Sequence, residues 1–339
     1  MPSFSTGVVT AVRSEREGLQ RVEVDGQPAY VLTALVGPVA VGDRVVVNTT
    51  AVDLGLGTGG WHVVHWNLAR ETWSRPGPGT VMKLRYTSLQ TDVGATEEAP
   101  GYRPPEDLGG VPVVACALHS QVACVAVTLA EAAPDRRVAY VMTDSAALPL
   151  ALSDLVAGLR AAGLLAATVT CGQAFGGDHE AVNLASALEV ARAGCEADVV
   201  VVGPGPGVVG TRTRLGFGGL EVAAVVDSAT LLGGRPVVAV RFSEGDARER
   251  HRGLSQHTVV SLQMAAHPTL VAVPRGEQAA AGALDARHPI LEVDVPDVAA
   301  LCARHGLDVT TMGRGPAEEA AFFRWAGAAG VAAVQLLAP

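Results

Sequence analysis

Up to about residue 70 the apolar positions fall in short β-rich runs, at 7–13, 21–25, 29–35, 44–50 and 61–67. Gly, Asp and Pro turn residues separate them, and no 3.6-residue period appears. Several short strands at close spacing predict a small all-β barrel. The segment 54–60 holds four glycines and reads either as a flexible hairpin loop or as a place where backbone approaches a ligand. Pro76, Pro78, Gly77 and Gly79 mark 71–80 as a hinge or linker, 81–86 is one more candidate strand, and 91–110 is polar and aperiodic, a disordered loop or a lid.

Beyond about residue 110 the texture changes. Apolar runs of strand length lie at 113–117, 124–129, 138–142, 166–171, 198–202, 236–241, 269–273 and 290–293. Helical patterns lie at 150–162, 181–193, 220–232, 255–266, 297–305 and 316–330. Valine-rich strands between amphipathic helices predict a three-layer α/β domain around a mainly parallel sheet. The expected organisation is a barrel-like domain at 1–75, a linker with a strand and a loop at 76–110, and the α/β domain at 111–339. The run 111–130 is apolar enough to raise a membrane span, but His119, Ser120 and Gln121 interrupt it, so two buried strands joined by a polar turn are expected.

Composition narrows the functional classes. The chain has 339 residues, 49% of them hydrophobic and 4% aromatic, which predicts a large aliphatic core. A net charge of −9 argues against nucleic acid and anionic membranes as main partners, because both require a basic face. Lys83 is the only lysine. A Walker-type phosphate loop is therefore excluded, and Schiff-base chemistry would have to run through Lys83. Five widely spaced cysteines form no Cys-x-x-Cys pair and fit reduced thiols in a cytoplasm.

In an open parallel sheet, ligands bind beyond the carboxyl ends of the strands. The predicted exits carry His119 and Ser120; Thr143, Asp144 and Ser145; Cys171 to His179, with Asp178; the loop Gly203 to Thr211; and the stretch Gly245 to Thr258. That last stretch concentrates three arginines, two histidines and two acids in a chain only 17% charged. Arg248, Arg250 and Arg252 are candidate anion clamps. His257, in the first turn of a helix capped by Ser255, and His251 are candidates for proton transfer, with Asp144 or Asp178 as orienting carboxylate or metal ligand. Gly205, Gly207 and Gly210 match Gly-x-Gly-x-x-Gly, but Arg212, Thr213 and Arg214 follow where a helix should open, and Asp227 falls inside a helical pattern. Backbone amides cradling an anion, with Thr211 adding a donor, fit that loop better than a dinucleotide. No His-x-x-x-His spacing supports a metal, Cys171 reads as a buried small residue before a nucleophile, and the alternative for the charged stretch is a solvated loop with internal ion pairs.

Ala51 to Gly60, Met142-Thr-Asp144, Thr170 to Asp178, Gly205 to Thr211 and Arg248 to Thr258 together resemble a bacterial family of uncharacterised proteins, the domain of unknown function 3866. The resemblance spans nearly the whole chain. The family pattern has His where Gln173 and Gln256 stand here, which implies that neither imidazole is indispensable to a shared mechanism. The resemblance supplies no reaction, cofactor or metal. The expectation is a cytoplasmic enzyme or ligand-binding protein, able to self-associate, for a small anionic molecule such as a phosphorylated metabolite or a nucleotide. The alternative is a regulatory or assembly protein that uses the barrel and the charged loop as interfaces.

Overall fold

Alternation builds the first unit. The strands are β1 (Phe4–Arg16), β2 (Leu19–Val24), β3 (Gln27–Leu32), β4 (Arg44–Asn48) and β5 (His62–Asn67); in β2, β3 and β4 buried residues alternate with more exposed ones, while β1 buries Gly7 and Val9 and β5 buries Val64 and Asn67. Val9, Val22, Val31, Val45 and Val64 meet in one core. One-turn helices α1 (Thr33–Val36) and α2 (Thr50–Asp53) follow β3 and β4. The strands close in the order β1-β2-β3-β5-β4, with β3 and β5 parallel and β1 antiparallel to β4. Asp25 and Gly26, both at positive φ (50° and 77°), make the tight β2–β3 hairpin that an Asp-Gly pair favours. A hairpin of β6 (Val81–Lys83) and β7 (Thr91–Val93) completes Met1–Gly94; the second unit is Ala95–Pro339. The computed structural model describes residues 1–57, 59–77 and 79–337. Thr58 of the glycine-rich loop and Pro78 of the expected linker lie outside the described residues.

The second unit is a sheet covered on both faces. Its strands are β8 (Pro112–Cys116), β9 (Val138–Thr143), β10 (Ala167–Thr170), β11 (His179–Glu180), β12 (Val199–Pro204), β13 (Arg235–Ala239), β16 (Leu270–Pro274) and β17 (Ile290–Val293). They pair in parallel in the order β11-β10-β9-β12-β8-β13-β16-β17. A two-residue pair, β14 (Phe242–Ser243) with β15 (Gly253–Leu254), brackets the charged stretch. One core joins the sheet to α3 (His119–Ala132), α4 (Asp154–Ala161), α8 (Val298–Arg304) and α9 (Ala320–Gln335). The opposite core holds α5 (Leu184–Glu189), α6 (Val222–Leu231) and α7 (Gln256–Met264). This is the expected three-layer α/β arrangement, which follows the small barrel in the chain.

Two local expectations are corrected. The run 124–129 is helical, not a strand: it belongs to α3, whose residues Gln121 to Leu129 are all buried. A helix sandwiched between a sheet and another helix is apolar all round, so it shows no 3.6-residue stripe. The segment 91–110 is ordered: Thr91–Val93 pairs with Val81–Lys83, and the fully buried Leu108 donates its amide to Leu232 O at 2.7 Å. Among the described residues, no helix is long and apolar enough to cross a membrane.

Helices α3 and α9 touch through small residues. Thr128 Oγ1 donates to Gly327 O at 3.0 Å, and a Cβ on Gly330 would overlap Thr128 Oγ1 and reach Val125 O. Backbone cannot give way as a flexible side chain would. Gly330→Ala should therefore cost about 1–3 kcal/mol through overpacking, read as a lower urea midpoint at unchanged slope. An unaltered midpoint would mean that the helices separate freely.

Candidate functional site

The centre of the sheet forks. The chain leaves β8 towards α3 on one face, while β12 and β13 lead to α6 and α7 on the other. In open parallel sheets, connections that diverge in this way are where ligands bind, in a crevice beyond the strand ends. Gln121, fully buried, holds the fork: its side-chain oxygen accepts the amides of Ala117 (2.9 Å) and Leu118 (3.0 Å), and its nitrogen donates to Ala239 O at 3.0 Å. This is why polar residues interrupt the 111–130 run.

His119 is committed to the same framework. Pro204 O can only accept, so His119 Nδ1 donates to it at 2.9 Å, and Nε2 accepts from Ser153 Oγ at 2.7 Å. Ser153 in turn caps α4, and the Tyr140 hydroxyl donates to Pro204 O at 2.8 Å. Burial holds His119 neutral, its pKa lowered to about 4. With both nitrogens engaged, the ring fastens three elements and has none left for a ligand. Ser120, partly exposed in the first turn of α3, makes no side-chain hydrogen bond to a described residue.

The charged stretch neutralises part of itself. Asp246, almost fully buried, accepts from Arg248 Nε (2.9 Å) and Nη2 (2.8 Å) and from Arg241 Nη2 (3.2 Å), with Arg314 at 3.8 Å. Glu319, also buried, accepts Arg314 Nε at 2.7 Å and the Glu244 amide at 3.0 Å. Arg248, expected to clamp a ligand, is thus held bidentately inside the loop. Arg252 is exposed and, among the described residues, its side chain reaches only Asp246 O, at 3.5 Å. Arg250 differs: its Nε donates to His251 Nε2 at 3.1 Å, and its terminal nitrogens meet no acceptor among the described residues.

Around Arg250 the two histidines and the glycine loop converge. His251 Nε2 is an acceptor, so Nδ1 carries the hydrogen and donates to Ser255 Oγ at 2.8 Å. Ser255 caps α7 by accepting the His257 amide at 3.2 Å. The His257 ring stacks on Phe217 at 3.7 Å and meets His251 edge-on at 4.4 Å. Burial first, then Arg241, lowers the pKa of His251 to about 3 and that of His257 to about 4. Neither ring nitrogen of the half-buried His257 has a hydrogen bond to a described residue. Gly210 lies alongside: a Cβ there would sit 3.8 Å from His257 Cε1. The amides of Gly207 to Gly210 likewise have no partner among the described residues. Thr211 instead closes the loop, its amide on Gly216 O at 2.6 Å and its hydroxyl on Thr213 at 2.8 Å.

The Gly205–Gly210 glycines run into this loop, and α6 begins only at Val222. The dinucleotide geometry, with the third glycine inside an opening helix, is therefore not formed. Asp227, within α6, accepts the amides of Ala266 and His267. Residues Phe217 to Glu221 strap the strand ends: Ser261 Oγ donates to Gly219 O at 3.2 Å, and Thr143 Oγ1 to Glu221 Oε1 at 2.7 Å. Burial raises the Glu221 pKa.

The carboxylates named from the sequence fare differently. Asp144 Oδ2 accepts the Gln173 amide at 2.8 Å at the end of β9. Asp178 leaves the crevice altogether. The chain after β10 turns back to begin the edge strand β11, so Asp178 lies beside Thr168, accepting its amide (2.8 Å) and hydroxyl (2.9 Å) and pairing with Arg160 at 2.7 Å. Four strand spacings separate β11 from β8, about 19 Å. Among the described residues no three His, Cys, Asp or Glu side chains gather as a metal would require.

A family model described as "Protein of unknown function (DUF3866)" matches residues 28–330. The chain belongs to the DUF3866 family. No curated protein and no solved structure matches it. In this DUF3866 member the crevice brings together His257, His251, Arg250 and the 207–210 loop; it does not bring Asp178, and Arg248 and His119 are engaged elsewhere. Phe217, Arg241 and Glu221 are additions. Glu221 follows a glycine pair at a predicted helix start, and only pairing with Thr143 distinguishes it from an ordinary first-turn acid.

Proposed function

We propose that this protein is an enzyme or ligand-binding protein for a small anionic molecule, with the anion held between the terminal nitrogens of Arg250 and the amides of Gly207 to Gly210. The supporting observation is a neutral His257 with both ring nitrogens open, stacked on Phe217 within reach of the Arg241 and Arg250 fields. An anion beside those arginines offsets the positive field that depresses the imidazole, so binding itself raises the basicity of His257. His257 is then the proton acceptor, Ser255 and His251 position it, and Glu221 is a carboxyl that burial and the charge of Asp144 push towards its protonated form. A phosphate or carboxylate fits the donor set, since open amides and one guanidinium fork match planar or tetrahedral oxyanions.

A thermal-shift panel of phosphorylated metabolites and carboxylates tests the reading. A ligand at about a hundred times its dissociation constant should stabilise the wild-type chain by about 2.7 kcal/mol. Arg250→Ala should erase that shift. His257→Ala should abolish turnover or ligand response while leaving the unfolding midpoint near wild type. Silence across the panel together with stable self-association would favour the assembly role instead.

A further inference from the structure

The barrel carries a surface that the α/β crevice does not use. Because Val22, Val24, Ala29, Val31 and Val64 fill the barrel interior, the alternating residues Arg21, Tyr30 and Trp61 face outward. Arg21 and Tyr30 are direct cross-strand partners on β2 and β3, and Trp61 immediately precedes β5, the parallel neighbour of β3. The Tyr30 and Trp61 rings stack at 4.7 Å with 16° between their planes. The Arg21 guanidinium lies 5.7 Å from one ring centre and 5.9 Å from the other. All three side chains are half-buried, so the row is partly open to solvent.

Trp61 follows a glycine-rich loop. This loop joins β4 to β5 and contains Gly55, Gly57, Gly59 and Gly60, all at positive φ, with Leu54 and Leu56 exposed at 64% and 63%. The strand order, with parallel β3 and β5, is the connectivity of the five-stranded OB barrel, whose strand 2–3 face and 4–5 loop form a binding surface in many unrelated proteins. That analogy of fold agrees with where these rings are found.

We propose that the outer face of β2, β3 and β5 is a stacking platform for single-stranded nucleic acid. Bases stack on aromatic rings whatever their sequence, and an arginine at the rings supplies the cation that a phosphate needs. A neutral oligosaccharide would use the rings but not the guanidinium. The net charge of −9 that argues against nucleic acid is not spread over the chain. Residues 1–94 contain eight basic and eight acidic side chains, so the whole −9 lies in residues 95–339. A platform that relies on stacking more than on phosphate neutralisation binds weakly and with a shallow salt dependence.

The test is fluorescence anisotropy of the full-length protein with a labelled oligothymidine of about 12 nucleotides, within the span of one such barrel. Saturable binding is expected for the single strand and none for a duplex of equal length. Trp61→Ala and Tyr30→Ala should each weaken binding between about fivefold and a hundredfold, and Trp61→Phe should retain most of it. Cross-linking of a bromouracil-substituted oligomer to the wild-type chain, mapped by mass spectrometry, decides the matter even if a variant unfolds: adducts at Tyr30 or Trp61 support the platform. Adducts only elsewhere, wild-type affinity in both folded alanine variants, or tryptophan quenching by a neutral oligosaccharide without oligothymidine binding would each overturn it.

Discussion

Asp246→Ala is expected to destabilise the protein by about 3–5 kcal/mol. Asp246 lies inside the charged stretch with 2% of its side chain exposed, and it receives hydrogen bonds from Arg241 and Arg248. Arg241 is itself buried, at 6% side-chain exposure, and carries the larger consequence. Removing the carboxylate leaves that guanidinium charged in a place where water does not reach it, and an unpaired buried charge costs more than the pair contributes. Arg248→Ala should be far milder, about 0–1 kcal/mol, because Arg248 is more than a third exposed and Asp246 keeps Arg241. The hydrogen bonds from Arg248 hold the Asp246 carboxyl well below the usual carboxylate range against the effect of burial. Its contribution is therefore complete above the unfolded-state value and disappears only in strong acid. Urea denaturation of the two variants checks the ordering. A loss below about 1 kcal/mol in Asp246→Ala would mean that water reaches Arg241.

The fate of this stretch shows how far sequence reasoning reaches. Barrel and sheet are readable because their cores repeat a local rule: alternation in β2, β3 and β4, and uninterrupted burial of largely apolar residues in β8, β9 and β12. The rule fails at α3, where burial on every side removes the period that would reveal a helix. At the site, the sequence located the crevice by its strand exits but could not say which arginine is available. Arg248 and Arg250 are two residues apart and chemically identical, yet one is paired with Asp246 and the other keeps its terminal nitrogens open. The sequence does not locate Asp178, because a turn back to the edge strand β11 is not visible in composition. Phe217 and Glu221 gain their significance only through His257 and Thr143, which are distant in sequence.

Acidification should unfold this protein in a window set by histidines rather than by carboxylates. His119 and His251 are held neutral, with pKa values lowered to about 4 and about 3, whereas an unfolded histidine takes up its proton near pH 6.5. Between those values the unfolded chain binds more protons than the folded one, so stability is complete above about pH 6.5 and falls as the pH drops towards 4. Each ring then removes on the order of 1.4 kcal/mol per pH unit, roughly 2 kcal/mol by pH 5. His257, lowered to about 4, acts in the same direction. Glu221 opposes it, because a carboxyl whose folded pKa is raised takes up its proton early and lends stability as the pH falls. Urea midpoints at pH 7 and pH 5 should therefore differ widely in the wild-type chain. His119→Gln and His251→Gln each remove one titrating ring, so each should shrink that difference even where it lowers stability at pH 7. If both variants keep the wild-type difference, the acid sensitivity belongs to other groups, and the neutral His251 that positions His257 beside Arg250 loses its electrostatic basis.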